Sequence, residues 1–91
     1  MILPTIFLDN IAPNFVKIVV GTKDYIVLYY MSYGTIVGLY LIQENETDKM
    51  FVSENIWGKT TGKHLNIICP DKKERLPNSE FKKILNDYGI Y

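Results

Sequence analysis

The single histidine, His64, and the single cysteine, Cys69, are the residues of this 91-residue chain best suited to nucleophilic chemistry at neutral pH. A Cys/His pair works when the thiol lies within hydrogen-bond reach of the imidazole, and their positions along the chain do not supply that contact by themselves. His64 reads instead as a helix-surface or capping residue near Trp57. Cys69, with no second cysteine to pair with, reads as a small core hydrophobe in a reducing compartment. One cysteine and one histidine cannot complete a structural zinc site. Glu44, Glu46 and Asp48 sit at alternate positions, but the glycine and closing glutamate of a calcium loop are missing, so a solvated hairpin tip is the plainer description. The glycines at 34, 38, 58 and 62 follow no phosphate-binding spacing. The expectation is a protein without catalytic machinery, metal or cofactor.

Binding chemistry is better represented. Between Lys59 and Lys83 stand seven basic residues, Lys59, Lys63, Lys72, Lys73, Arg75, Lys82 and Lys83, against Asp71, Glu74 and Glu80. The whole chain balances ten basic against ten acidic residues, so any pull on nucleic acid must come from this local excess. Lys59, Lys63, Lys72, Lys73 and Arg75 are the candidate nucleic-acid contacts of a single-strand platform that would also use exposed tyrosines. The competing description is an ordinary solvated helix face and loop.

These residues must be positioned by the stretch Tyr25 to Ile42, eighteen residues without a charge. Its length approaches that of a membrane span, but Tyr25, Tyr29, Tyr30, Tyr33 and Tyr40 are scattered along it rather than gathered at two headgroup layers. β-Branched and aromatic residues predict two strands, with a turn or bulge at Ser32-Tyr33-Gly34-Thr35. No membrane partner is expected. Ile26, Leu28 and Tyr30 then share one face and Tyr25, Val27, Tyr29 and Met31 the other, and neither is polar. Such a hairpin is either covered on both sides or keeps one side for a partner.

The remaining elements build a small domain around it. Phe15 to Val20 predicts a strand joined to Tyr25 by a loop at Gly21 to Asp24, and Met50 to Ser53 a shorter strand. Ile6 to Leu8 suggests a short edge strand between Pro4 and Pro13, leaving open whether residues 1–14 join the sheet. Short connections between consecutive strands imply an antiparallel meander of about four strands. Residues 60–68 favour a helix, with His64, Ile67 and Ile68 on one side, although strand alternation also fits. Pro77-Asn78-Ser79 predicts a helix start, Phe81, Ile84, Leu85 and Tyr88 an apolar stripe, and Gly89 the left-handed residue that ends it. The fold expected is α+β over residues 1–91, with this C-terminal helix on one face and the 60–68 segment adding to the same face.

Ser32-Tyr-Gly-Thr-Ile-Val37 and Trp57-Gly-Lys-Thr-Thr-Gly-Lys-His64 resemble a family of short bacteriophage-encoded proteins known only as a domain of unknown function, which pairs a Ser-Tyr-x-Thr-x-Val strand with a Thr-Thr-x-Lys-His helix start. The likeness spans roughly residues 15–69, with Gly62 at the variable position. It implies phage or mobile-element origin, and proteins of that kind often inhibit restriction or CRISPR defence by binding host proteins in the cytoplasm. On that expectation Tyr25, Tyr29, Tyr30, Tyr33 and Tyr40 form the contact face, and Glu44, Glu46, Asp48 and Glu54 steer it toward a basic surface such as the nucleic-acid site of a host enzyme. A symmetric homodimer would consume the same face.

Overall fold

In the computed structural model, which describes residues 5–88, the uncharged run forms the central hairpin of an antiparallel sheet. The strands are β1 (Thr5–Ala12), β2 (Phe15–Gly21), β3 (Tyr25–Ser32), β4 (Thr35–Gln43) and β5 (Lys49–Val52), paired in sequence order. Helix α1 (Lys59–Ile68), a 3-10 turn (Lys72–Glu74) and helix α2 (Asn78–Tyr88) follow. The α+β meander with its C-terminal helix is as expected, and the 60–68 segment is helical. The expected end at Gly89 lies outside the described residues.

The sheet has five strands rather than about four. Asp9 and Asn10 break the apolar pattern of β1, but β1 is an edge strand, where polar side chains are tolerated. Asp9 stands opposite Lys17 on β2, and Asp9 Oδ2 lies 3.9 Å from Lys17 Nζ.

Local chemistry explains the turns. Tyr33 (φ 51°) and Gly34 (φ 81°) connect the paired residues Ser32 and Thr35, the two positive dihedrals of a type I′ hairpin. Asn14 (φ 60°) turns the chain between β1 and β2, and its carbonyl accepts the Tyr33 N–H at 2.8 Å. The two turns are thereby tied together at one end of the sheet. On β4, Val37 is an extra residue between the pairs Tyr30–Gly38 and Met31–Ile36, a bulge that sharpens the bend at that end.

Each face of the sheet receives one helix. Val20, Val27, Tyr29, Leu39 and Leu41 form the first face with Phe81 of α2, and Leu85 and Tyr88 close over them. Phe15, Val37 and Val52 pack with Leu65 and Cys69 on the other side, joined by Ile68 and Tyr30. Tyr30 and Gly38 alternate with Tyr29 and Leu39 along the strands, so α1 and α2 lie on opposite faces.

This corrects the expectation that α1 extends the cover of α2. The reason is the path after β5. The chain leaves the sheet edge, forms α1 on one side, then returns so that the Leu76 N–H bonds to the Val52 carbonyl and the Glu54 N–H to the Leu76 carbonyl, each at 2.7 Å. From that edge it enters α2 on the other side. Gly38 makes the approach of α1 possible, because a Cβ there would stand 2.8 Å from Ile68 Cδ1. The inward stripe of α1 is Thr61, His64, Leu65 and Ile68, and Ile67, expected to share it, is exposed.

Candidate functional site

Three places in the fold gather the residues singled out by their chemistry. The first is the half of the α1 face that α1 does not reach. Cross-strand register places Val19, Leu28 and Tyr40 in one row and Ile26 and Ile42 in the next, with Met50 beside Tyr40 on β5. Ile26 and Met50 are 39% and 40% exposed and the others are partly buried. The Tyr40 hydroxyl donates to Asp48 Oδ2 at 2.8 Å, joining this apolar strip to the acidic loop that carries Glu44 and Glu46. That carboxylate first, and loss of solvent second, raise the Tyr40 pKa above its ordinary value.

The five tyrosines do not form one face. Tyr29 is 1% exposed in the core and its hydroxyl donates to the Tyr88 carbonyl, so it offers no contact area. Tyr25 lies on the α2 side, edge-on to Tyr88 with ring centroids 6.2 Å apart. Tyr30 packs beside α1 and stacks on Phe15, and burial raises its pKa. Tyr33 stands exposed on the β3–β4 turn. Only Tyr40 belongs to the uncovered strip. Alternation along β3 is the cause, since neighbours at 29 and 30 must face opposite ways. Glu54, expected on the acidic rim, instead accepts the Asn78 N–H at the start of α2.

The second gathering is a buried network at the other end of the same face. Ser32 Oγ lies 2.7 Å from His64 Nδ1 and 3.1 Å from Thr61 Oγ1. The imidazole is stacked on Phe15 at 4.7 Å between ring centroids, and Tyr33 stacks on it at 5.7 Å. His64 is therefore a buried partner of Phe15 and Tyr33, not a surface neighbour of Trp57. A serine–histidine pair is a nucleophile's arrangement. Here the serine is 2% exposed beneath α1, and its second partner is a threonine hydroxyl, so the geometry serves packing. Cys69 stands apart, with its thiol near the Asp71 carbonyl. Among the described residues no three His, Cys, Asp or Glu side chains converge to hold a metal ion, and no helix is long and apolar enough to cross a membrane.

The third is a basic groove of about 560 Å³ between α1 and the segment that follows it. Lys59 and Lys63, one turn apart on the outer side of α1, face Lys72 and Arg75 across it, with Asn55, Glu54 and Asn66 completing the walls. Four of the five candidate nucleic-acid residues are brought together; Lys73 is exposed and outside. Arg75 is already engaged, donating from Nε and Nη2 to the Cys69 carbonyl at 3.1 and 2.9 Å and from Nη2 to Asn66 Oδ1. The only ion pair among the described residues is Lys17–Asp9, which leaves the groove's lysines unneutralised.

Sequence reasoning did not single out Asn55. Its Oδ1 accepts the Trp57 and Gly58 backbone N–H groups and its Nδ2 donates to the Gly58 carbonyl, setting the entry to α1, whose first residue is preceded by Gly58 with no side-chain cap. The Ile56-Trp57 ridge that it holds also borders a smaller groove of mixed polarity against Phe81 and Leu85 of α2. The Asn-x-x-Gly spacing ahead of a helix was the available signal.

No protein-family model matches the chain, and no curated protein or solved structure is similar enough to be counted a relative.

Proposed function

We propose that the protein is a binding module that docks another protein on the uncovered half of the sheet. The observation that carries this reading is the strip of Ile26, Leu28, Tyr40, Ile42 and Met50, two of them exposed, joined through Tyr40 and Asp48 to an acidic loop. Large apolar and aromatic side chains beside an acidic loop suit an interface core with an electrostatic guide. The occupant is a protein with a basic border around an apolar centre. The likeness to phage proteins gives that partner a class, a host defence enzyme whose basic nucleic-acid site would be masked in the cytoplasm.

Light scattering coupled to size exclusion, followed by capture from host lysate with Ile26→Asp and Met50→Asp as controls, tests the reading. Support is a monomer that captures a protein released by salt or by added polyanion, with capture lost in both variants while their melting temperatures stay unchanged. A dimer dissociated by Ile26→Asp would assign the strip to self-association and overturn the reading. Capture indifferent to both variants would overturn it as well.

A further inference from the structure

The basic groove is independent of the sheet face, lying on the outer side of α1. We infer that it binds the phosphodiester backbone of a single-stranded nucleic acid, with the exposed Trp57, two residues along the chain from the groove-lining Asn55, available to stack on a base.

Four features point to that ligand. Lys59, Lys63 and Lys72 are exposed, unpaired among the described residues, and converge on one concavity rather than spreading around the molecule. A protein with zero formal net charge has no general attraction for polyanions, so a local excess of cations marks where an anion would sit. The two α1 lysines are four residues apart, about 6 Å along the axis, and Lys72 lines the same groove, which fits a chain of repeated charges better than a single compact ion. Asn55 and Asn66 add amide groups to the walls, and the carboxylate of Glu54, the acidic residue there, accepts the Asn78 N–H.

The walls carry no aromatic residue. Stacking would have to come from the adjoining segment, where Trp57 is 38% exposed, its backbone N–H bonds to the groove-lining Asn55, and it also lines the neighbouring groove beside Phe81. Single strands present unstacked bases to such a side chain and duplexes do not, which selects single-stranded over duplex nucleic acid. Three lysine–phosphate contacts predict that log affinity falls with log salt at a slope of about −2.

The full-length protein is titrated with a twelve-nucleotide oligothymidylate at low salt, following the fluorescence of Trp57, the only tryptophan in the chain. The expected result is quenching with a salt slope of about −2, and roughly tenfold weaker binding for Lys63→Glu and for Lys72→Glu with the slope reduced by about one. Lys23→Glu makes the same charge change in the β2–β3 loop at the opposite end and is expected to leave binding unaltered. Circular dichroism of each variant separates lost binding from lost folding. No binding at low salt, or binding equally weakened by Lys23→Glu, overturns the inference. Equal affinity for a duplex of the same length without quenching overturns the single-strand assignment, and competition by micromolar pyrophosphate would assign the groove to small phosphates instead. None of these outcomes bears on the Ile26 and Met50 variants, so this inference and the protein-docking reading fail separately.

Discussion

Ser32 on the last position of β3 and His64 in the middle of α1 are joined at 2.7 Å, and this contact bolts α1 to the sheet. It brings together the Ser-Tyr-Gly-Thr and Thr-Thr-Gly-Lys-His segments, which stand far apart along the chain. The hydroxyl of Thr61 completes the network, so all three buried polar groups are satisfied.

Removing the centre of that network strands both neighbours. Ser32→Ala leaves the imidazole nitrogen and the threonine hydroxyl buried without this partner, at a cost of about 1–3 kcal/mol. Urea unfolding measures it. A cycle with Thr61→Val is expected to be strongly non-additive, because the second mutation removes one of the orphaned groups; additive effects would show that the three do not act together.

Gly38 and Ile68 set how closely α1 can approach. A methyl group at position 38 would overlap Ile68 Cδ1, the far end of a flexible side chain, and Gly38→Ala is expected to destabilise by about 1 kcal/mol despite lower backbone entropy in the unfolded chain. Ile68→Val deletes the colliding atom. In that background the penalty of Gly38→Ala falls, and an unchanged penalty would place the strain elsewhere.

Arg75 closes the end of α1 through the Cys69 carbonyl and Asn66. A lysine cannot reproduce the fork, so Arg75→Lys is expected to cost about 1 kcal/mol in thermal or urea unfolding. It retains the positive charge. Oligonucleotide affinity should therefore change by less than the loss caused by Lys63→Glu, and a larger change would mean that Arg75 itself contacts the ligand.

The Tyr40–Asp48 contact makes the acidic loop sensitive to alkali. The raised pKa of Tyr40 means that the folded state favours the neutral phenol. The stabilisation is complete below the ordinary value of 10.0 and is lost as pH climbs through the raised one. Ultraviolet titration of phenolate is expected to show Tyr40 and the partly buried Tyr30 among the late tyrosines. Asp48→Asn returns Tyr40 toward its usual range and leaves Tyr30 late. Identical titrations of the two proteins would show that Asp48 does not hold the phenol.

Local sequence was enough for elements whose signals are local. The uncharged run with its Tyr-Gly centre specifies a hairpin because a type I′ turn needs two positive dihedrals, and short connections leave a meander as the simplest pairing. The Phe81–Tyr88 stripe of α2 follows from helical period alone, as does the exposure of Lys82 and Lys83. Sequence also marked the basic segment, though not its groove. The side of the sheet that each helix takes depends on where the chain crosses the β5 edge, through hydrogen bonds of Leu76 with Val52 and Glu54 far from it in sequence. That crossing placed His64 against Phe15, drew Lys72 opposite Lys63, left Ile26 and Met50 uncovered, and separated tyrosines that looked alike along the chain. Periodicity tells which residues share a face, while long-range packing decides what, if anything, covers it.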